Sequence, residues 1–436
     1  MAPAQDELRD NGVVTVDDVW QGRTPPPEWL DVAFVQRVLT QRSANCETEP
    51  FVEHIEVRYA TAEGDNYCSQ LFRVRARVRG CVGAGVGVGA SGPRCVLVKC
   101  LPPGDAFRRL VEAQGFFRTE AHVMRHVVPA MEALLRAAGP RAPRPPPFAA
   151  RCLAHGPLPD THLVLQDLSP EGFGLADRLQ GLDAASARLA ARALARFHAA
   201  SAALLRRRPR LLAPLPRSPL DAAPTDERQA EAYLAAAARA FAAWGGPFAR
   251  YHDKVLSLQG KIFKKVQAMD RVRPGKFNVM VHGDFWINNI LFKRDTKGQV
   301  CDVRFVDLQM CHVSNPAFDL LLLRYTSLSE DVFWHDWDRL LEEYAGVLAE
   351  TLELLGEPPV TLEDIRRDLE EAKHFAVPAS LLWLPPVKMQ GATYDIEQVL
   401  EEGGFDSQAG MYHTPLFRRW MEKLLPLFDK EGVFDL

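Results

Sequence analysis

The chain has 436 residues, of which 47% are hydrophobic and 25% charged, and its formal net charge is −4 at pH 7. This length is long for a single hydrophobic core, so we expect two lobes or domains. The nearly balanced charge argues against a nucleic-acid partner and against binding to a membrane surface.

The cysteine spacing, the amino-terminal residues and the apolar runs indicate the cellular compartment in which we expect the protein. The eight cysteines form no Cys-x-x-Cys pair, and the amino-terminal residues are polar and acidic, unlike a secretory signal. The apolar run Leu320 to Leu323 ends at Arg324, far short of the roughly 20 residues that cross a bilayer. We therefore expect a cytoplasmic protein with reduced thiols and no membrane span.

Two predicted strands come first along the chain. Glu56 to Ala60 and Gln70 to Val78 alternate in polarity and are rich in β-branched or aromatic residues. The small, polar segment Gly64 to Ser69 between them predicts a turn. A richer glycine stretch, Gly80 to Gly92, precedes the apolar run Cys95 to Lys99, which predicts another strand. A dinucleotide-binding fingerprint needs a helix there, so we interpret the glycine stretch as a flexible connection.

Lys99 lies at the end of this apolar strand, and Glu120 lies on a helix predicted to begin near Phe117. A strand lysine followed by a helical glutamate is the arrangement with which kinases contact the phosphates of a nucleotide. The alternative is that Lys99 is a solvated surface residue.

The middle of the chain predicts a strand and then helices. Thr161 to Leu165 is apolar and breaks into polar residues at Gln166. Ala184 to Ala243 is rich in alanine and arginine, and prolines such as Pro209 divide it into helical blocks. From Trp334 onward, apolar residues recur at helical spacing.

The most informative motif is the block Val281 to Phe292, which reads Val-His-Gly-Asp-Phe-Trp-Ile-Asn-Asn-Ile-Leu-Phe. It places Asp284 five residues before Asn289. A second acid, Asp307, follows a glycine turn and an apolar run that predicts a strand. In kinases, an acid, an amide and a second acid in this order supply a base and two metal ligands.

Phosphoryl transfer explains why these residue types are needed, because it asks the protein mainly for positioning and for neutralisation of charge. We assign Asp284 as the base that orients the acceptor hydroxyl and takes its proton. Asn289 and Asp307 offer hard oxygen ligands to Mg²⁺. Taken singly, the three residues would be a helix cap, a turn residue and a strand-end acid; their joint spacing favours the catalytic interpretation.

This block resembles the ecdysteroid kinase-like family, a branch of the choline kinase and aminoglycoside phosphotransferase superfamily. The family pattern His-Gly-Asp-x-Trp-x-Asn-Asn-x-x-Phe is matched by His282, Gly283, Asp284, Trp286, Asn288, Asn289 and Phe292. The second family block, Asp-Phe-Gln, is Asp307-Leu308-Gln309 here, so a leucine stands at the aromatic position.

The resemblance implies a two-lobed, protein-kinase-like α+β fold. A small β-rich lobe in residues 1–166 would bind the nucleotide, and a larger, mostly helical lobe in residues 167–436 would carry the catalytic and acceptor sites. Ser69 would belong to the loop that covers the phosphates. The residues of the hinge that pairs with adenine would be Gln166, Asp167 and Leu168.

Two further residues take roles from the resemblance. His198 lies on a helix beneath the catalytic loop, and we expect it to be a structural, hydrogen-bonded histidine. Asp319 would support that loop, a role that coincides with capping the apolar helix it begins.

The implied function is an ATP- and Mg²⁺-dependent kinase that phosphorylates a hydroxyl of a small molecule, either an ecdysteroid-like compound or another lipophilic alcohol. A shared fold does not fix the substrate. A choline- or aminoglycoside-type kinase is one alternative, and a cationic acceptor would need an acidic or aromatic pocket. A non-catalytic nucleotide-binding scaffold is another. Trp286 and Trp383 either line an apolar acceptor pocket or lie in the core.

Overall fold

The structure, a computed structural model, describes residues 13–15, 24–42, 51–60, 69–79, 92–102, 105–139, 145–157, 160–218, 227–389 and 405–436. The predicted turn at 64–68 and the glycine stretch at 80–91 lie outside these residues. The chain forms two compact units. The first contains the described residues up to Glu112 together with Ala150–Gly172, and the second contains Ala113–Ala149 and Phe173–Leu436.

The first unit is built on a six-stranded sheet. The spatial order is β1-β2-β3-β4-β6-β5; β1 and β2 are parallel, and the other pairs are antiparallel. The strands are β1 (Val13–Thr15), β2 (Phe51–Tyr59), β3 (Gln70–Arg79), β4 (Gly92–Cys100), β5 (Cys152–Gly156) and β6 (His162–Gln166). The four predicted strands of this region are confirmed. β2 begins earlier than predicted, because a bulge between Val52 and His54 interrupts the alternation.

One face of this sheet is covered by a helix. On β3, side chains such as Phe72 and Val74 are fully buried, and they belong to one core with Phe34 and Val38 of helix α1 (Val32–Arg42). Lys99 lies on β4 opposite Leu71 of β3. The period-2 pattern of the sequence thus gives the face of each side chain.

The second unit is mostly helical. Its strands are β7 (Phe173–Leu175), β8 (Val279–Val281), β9 (Ile290–Arg294), β10 (Val300–Phe305) and β11 (His312–Ser314), in sheets ordered β10-β9-β7 and β11-β8. The α-helices after α1 are α2 (Asp105–Gln114), which leads into this unit, α3 (Phe116–His122), α4 (Val128–Ala138), α5 (Ala184–Arg207), α6 (Pro209–Leu212), α7 (Glu227–Trp244), α8 (Tyr251–Leu256), α9 (Ile262–Met269), α10 (Ala317–Leu322), α11 (Trp337–Leu354), α12 (Leu362–Glu371), α13 (Ala376–Pro378), α14 (Leu384–Val387) and α15 (Pro415–Lys430).

The long helix α5 is central to the second unit. Asp183 caps it, accepting a hydrogen bond from the Ser186 backbone N–H at 2.7 Å. Its alanine-rich surface is buried and lets α4, α11, β8 and β10 pack closely against it. The predicted helical blocks between Ala184 and Ala243 are confirmed as α5, α6 and α7, and the break between α5 and α6 falls at Pro209, as proline geometry requires.

The predicted α+β class is confirmed: the described residues form a small, mainly antiparallel sheet and a mostly helical remainder. Residues 113–149 group with the second unit although they precede residue 167. The division into a nucleotide-binding lobe at 1–166 and a catalytic lobe at 167–436 stays a prediction. Among the helices of the described residues, none has both the length and the apolar character needed to cross a membrane.

Candidate active site

The block Val281 to Phe292 forms the end of β8, a loop and the start of β9. Aromatic packing holds the loop in place. Phe285 is fully buried, and its ring contacts the Phe305 ring edge-on, with the ring centroids 5.0 Å apart. Phe305 ends β10 and also packs against Phe197 of α5, at 5.7 Å. Because Phe305 lies two residues before Asp307, this cluster holds the segments of Asp284 and Asp307 against the same helix.

Asp319 binds the start of the loop. Its carboxylate accepts hydrogen bonds from the backbone N–H of His282 at 2.7 Å and of Gly283 at 3.0 Å. His198 Nε2 lies 3.1 Å from the same carboxylate, and its Nδ1 lies 2.8 Å from the Tyr344 hydroxyl. Burial alone raises the pKa of Asp319, but the hydrogen bonds to His198 and His282 outweigh it and lower the pKa below its ordinary value.

The expectations for His198 and Asp319 are therefore largely confirmed. His198 is fully buried and hydrogen-bonded at both ring nitrogens, and Asp319 supports the loop. The capping expectation is wrong, because Asp319 lies inside the first turn of α10 and its oxygens face the loop. Asn315 instead accepts the N–H of Ala317 at the start of that helix, at 2.9 Å.

We expect Asp319→Asn to destabilise the protein by about 3 kcal/mol or more, because an amide cannot accept on both sides and leaves a buried N–H without an acceptor. Urea unfolding at neutral pH measures this. Asp295→Asn is a matched control, since Asp295 also accepts two backbone N–H groups, from Lys297 and Gln299 at 2.9 Å each, but in an exposed turn. Equal losses in the two variants would contradict the role of Asp319.

The Asp284 carboxylate lies in the loop with nitrogen donors on both oxygens. Oδ2 accepts from Asn289 Nδ2 at 2.8 Å and from Trp286 Nε1 at 3.2 Å, and Oδ1 accepts from Trp383 Nε1 at 3.2 Å. Burial and then the nearby charge of Asp307 raise the pKa of Asp284 to about 7, although the three hydrogen bonds act to lower it. A carboxyl group with a pKa close to the working pH suits a general base.

Asp307 follows β10 in a left-handed backbone conformation, with φ 62° and ψ 56°. It is the only non-glycine residue with positive φ in the described part of the chain. Such a conformation costs energy in a residue with a Cβ, and it often marks a functional position. Gln309 Nε2 lies 3.4 Å from Asp307 Oδ2, and Leu308, at the family's aromatic position, is fully buried.

Asn289 is oriented by Asp284. Its Nδ2 donates to the Asp284 backbone carbonyl as well as to the carboxylate, both at 2.8 Å. Because the amide nitrogen is directed at Asp284, the amide oxygen faces elsewhere and remains an acceptor for a cation.

These residues fit a magnesium ion. The charge of Asp307 raises the pKa of Asp284, so the two carboxylates repel each other and a cation between their charges would be stabilised. Mg²⁺ usually binds one or two protein oxygens together with phosphates and water, and Asn289 with Asp307 supplies that number. Within the described ranges, no group of three or more His, Cys, Asp or Glu residues offers a metal cage made by the protein alone.

The predicted lysine and glutamate are both buried. Lys99, 4% exposed, lies on β4 in the first unit, and Glu120, 1% exposed, lies on α3 in the second. Helix α3 packs against the turn Leu308–Met310. Burial first, and then the charges of Asp319 and Glu120, raise the pKa of Cys311. Glu120 therefore lies close to the segment that follows Asp307. The pairing of Lys99 with Glu120 stays a prediction.

Two of the predicted hinge residues, Gln166 and Asp167, form hydrogen bonds within the protein through their side chains. The buried Asp167 carboxylate accepts from Arg73 Nε at 2.7 Å and from the Ser169 N–H at 2.9 Å. Gln166 donates through Nε2 to Glu171 at 2.7 Å. If this segment binds adenine, its main chain, including that of Leu168, must make the contacts.

Ser69 immediately precedes β3 and is 9% exposed. The rest of its predicted phosphate-covering loop lies outside the described residues. Its role in binding phosphate stays a prediction.

A family model described as "Ecdysteroid kinase-like family" matches residues 63–357. The chain belongs to this family. The match includes every residue assigned above to the base, the metal and the nucleotide. Membership in the ecdysteroid kinase-like family indicates a small-molecule kinase of the choline kinase and aminoglycoside phosphotransferase superfamily.

Solved structures that match this ecdysteroid kinase-like protein have low sequence identity to it. A Plasmodium vivax ethanolamine kinase is 10% identical, with 84% of this chain and 83% of that chain covered and a TM-score of 0.37. A microcompartment-associated aminopropanol kinase is 12% identical, with 92% and 99% covered and a TM-score of 0.37. An ADP-bound aminoglycoside phosphotransferase is also 12% identical, with 88% and 99% covered and a TM-score of 0.37. A search of the curated proteins found no match.

Sequence reasoning missed the contact between Trp383 and Asp284. The sequence left two roles open for Trp383, in an acceptor pocket or in the core. This tryptophan lies 26 residues beyond residue 357, where the match to the ecdysteroid kinase-like family ends. No local pattern could have shown the contact, because the two residues are 99 positions apart.

Proposed function

We propose that this protein is an ATP- and Mg²⁺-dependent kinase that phosphorylates a hydroxyl group of a small molecule. The observation that carries the proposal is the Asp284 carboxylate, whose pKa is raised to about 7 and whose oxygens accept hydrogen bonds from Trp286, Asn289 and Trp383. Its location in the loop after β8, near the charge of Asp307, fits phosphoryl transfer.

In this proposal, Asp284 accepts the proton of the acceptor hydroxyl. Each carboxylate oxygen has two lone pairs. Among the described residues Oδ1 accepts a hydrogen bond from Trp383 Nε1, so its other lone pair can accept the hydroxyl. As the hydroxyl oxygen bonds to the terminal phosphorus of ATP, the bond from that phosphorus to the bridging oxygen breaks, and the proton passes to the carboxylate. The products are a phosphate monoester, ADP and a protonated Asp284 that returns its proton to water.

Asn289 and Asp307 would bind Mg²⁺, which when bound neutralises charge on the phosphates. The repulsion between Asp284 and Asp307 supports this assignment, since a cation would relieve it. Lys99 and Ser69 would contact the phosphates, Glu120 would orient Lys99, and the main chain of Gln166, Asp167 and Leu168 would bind adenine. A need for ATP agrees with the cytoplasmic location expected from the sequence.

The acceptor is proposed to be an ecdysteroid-like or other lipophilic alcohol. Indole rings at Trp286 and Trp383 border Asp284, and Phe375 packs against Trp383 with ring centroids 5.8 Å apart, which gives the site an apolar, aromatic border. A choline- or aminoglycoside-type acceptor remains the second candidate, because aromatic rings also bind cations. A non-catalytic scaffold would have no need of a raised carboxyl pKa.

We expect two aspartate variants to separate binding from turnover. Asp307→Ala should abolish the Mg²⁺-dependent stabilisation by ATP in a thermal-shift assay, because it removes the charged metal ligand. Asp284→Ala should keep that stabilisation but lower turnover by about 100-fold or more, because it removes the base. Asp338→Ala, at an exposed position on α11, is the control and should change neither result. Unchanged turnover in Asp284→Ala would contradict the base assignment.

A label-transfer assay with labelled ATP identifies the acceptor. Purified protein is incubated with metabolite extracts and a panel of lipophilic alcohols, and label transfer is followed by chromatography. Transfer to a steroid or another lipophilic alcohol supports the proposal, and transfer to choline or an aminoglycoside supports the second candidate. No transfer to any compound, with ATP binding intact, would favour the scaffold.

A further inference from the structure

We propose that Trp383 is a positioning residue for the base, and that Arg178 fixes the helical segment that carries it. Trp383 fixes one oxygen of Asp284 by a hydrogen bond from its indole N–H, so that the other lone pair of this oxygen faces the acceptor hydroxyl. This inference rests on the proposed function for its catalytic consequence, but the contact itself can be tested without catalysis.

The two oxygens of Asp284 are held in different ways. Oδ2 is bonded by Trp286 and Asn289, which are two and five residues away in the same loop. Oδ1 is bonded by Trp383, which is 99 residues away. The donors within the loop therefore bind only Oδ2. Rotation about the Cβ–Cγ bond moves both oxygens, so the hydrogen bond from Trp383 to Oδ1 adds a restraint from outside the loop to those on Oδ2.

The backbone around Trp383 departs from a regular helix. Residues Ala379–Trp383 form a π-helical turn that runs directly into α14. Pro385 lies four residues after Leu381 and has no N–H, so the usual helical hydrogen bond to the Leu381 carbonyl cannot form. The buried Tyr412 hydroxyl donates to this carbonyl instead, at 2.8 Å. The segment is thus fixed immediately before Trp383 by a side chain from outside it.

Arg178 fixes the segment on the other side of Trp383. Its Nη1 donates to the carbonyls of Val387 at 2.6 Å, Met389 at 2.9 Å and Pro386 at 3.3 Å. A cation at the carbonyl end of a helix is favourable, and charged hydrogen bonds are stronger than neutral ones. Lys388 Nζ donates in return to the Arg178 carbonyl at 3.0 Å. The two chain segments therefore bind each other in both directions.

Arg178 is also connected to the loop of Asp284 through two paired strands. It lies three residues after β7, which pairs with β9, and β9 begins at Ile290, directly after Asn289. The segment of Trp383, through Arg178 and β7, and the loop of Asp284 are thus both connected to β9. Loss of Arg178 should loosen the tryptophan while leaving the loop's own contacts to Oδ2 intact.

The first test is NMR of protein labelled with ¹⁵N-tryptophan, in which the eight tryptophans give eight indole N–H signals. Trp383→Phe and Trp286→Phe assign the two signals of interest. We expect Asp284→Asn to shift both signals, and Arg178→Met to shift the Trp383 signal more than the Trp286 signal. The Trp334 signal is the internal control, because its buried Nε1 has no hydrogen-bond partner. A Trp383 signal that does not move in Asp284→Asn overturns the proposal.

The second test is kinetic and uses the acceptor identified by label transfer. We expect Trp383→Phe to lower kcat by about 10- to 100-fold, the scale of a misplaced catalytic group, with KM for ATP unchanged. Trp383→His keeps a ring N–H and should recover part of kcat. Trp334→Phe is the matched control, because it removes an indole whose buried Nε1 has no hydrogen-bond partner, and it should keep kcat. An unchanged kcat in Trp383→Phe overturns the positioning role. Absence of transfer by the wild type contradicts the proposed function and leaves the NMR result standing.

Discussion

Replacing Gly283 with alanine is expected to abolish turnover and to lower the free energy of unfolding by about 2–5 kcal/mol. Gly283 has φ +79°, and a Cβ at this position would lie 2.3 Å from the Met310 carbonyl oxygen. The left-handed conformation costs an alanine about 1–2 kcal/mol, and overpacking adds about 1–3 kcal/mol. Because the next residue is Asp284, any shift that relieves the clash also moves the base.

Gly298 offers a matched control for this prediction. It has nearly the same conformation, φ +78°, but a Cβ there meets no atom within 4 Å. Gly298→Ala should therefore show the conformational cost alone, about 1–2 kcal/mol, with turnover unchanged. Urea unfolding and label transfer to the acceptor measure both variants. Equal losses of stability would show that the contact with Met310 is unimportant.

The fold was predictable where the sequence pattern is local. Alternation along β3 and the apolar run of β4 gave both strands, and the alanine-rich region gave α5 with its end near Pro209. The start of β2 was not predictable, because the bulge after Val52 places two residues against one on the neighbouring strand. The π-helical turn at Ala379–Trp383 was equally hidden, since the Tyr412 hydroxyl that binds its Leu381 carbonyl comes from a distant segment.

The candidate site was predictable as far as its motif extends. The spacing of Asp284, Asn289 and Asp307 identified three residues whose segments pack together in the second unit. No local pattern indicated that Asp307 would adopt a left-handed conformation or that Trp383 would bind Asp284. Backbone strain and contacts between distant residues are set by tertiary packing, which a local pattern does not contain.

The second large effect on stability is expected at a histidine that binds the Met310 carbonyl, the same carbonyl that lies close to Gly283. This carbonyl faces His312 Nδ1 at 2.9 Å. The other ring nitrogen, Nε2, lies 2.8 Å from Asp270 Oδ1. Since both neighbours of the ring are acceptors, both nitrogens must carry protons, and His312 is a buried imidazolium paired with the Asp270 carboxylate.

The Asp270 carboxylate has further donors. The hydroxyl groups of Ser218 and Ser314 donate to it at 2.5 Å each. Burial alone would raise the pKa of Asp270, but His312 and the two hydroxyls outweigh burial and lower the pKa below 3.8. Burial alone would likewise lower the pKa of His312, but Asp270 outweighs it and raises the pKa above 6.5. Both shifts favour the charged form of each partner, in agreement with the hydrogen-bond geometry.

We expect Asp270→Ala to lower the free energy of unfolding by about 3–5 kcal/mol at pH 6, because it leaves a buried imidazolium without its counter-ion. The exposed pair His252 and Asp253, also 2.8 Å apart, is the control, and Asp253→Ala should have little effect. A double-mutant cycle with His312→Ala isolates the coupling. Additive losses in that cycle would contradict the ion pair.

The pH dependence gives this prediction a second test. The pKa of Asp270 is lowered in the folded protein, so its contribution is complete above its ordinary value of 3.8 and is lost as the pH falls through the folded pKa. The pKa of His312 is raised, so its contribution is complete below 6.5 and is lost as the pH rises through the folded pKa. The difference in unfolding free energy between wild type and Asp270→Ala should therefore be largest between pH 3.8 and 6.5 and shrink as the pH rises through the folded pKa of His312. Because His312 also binds the carbonyl that lies against Gly283, its deprotonation should loosen the loop of Asp284 over the same rise in pH.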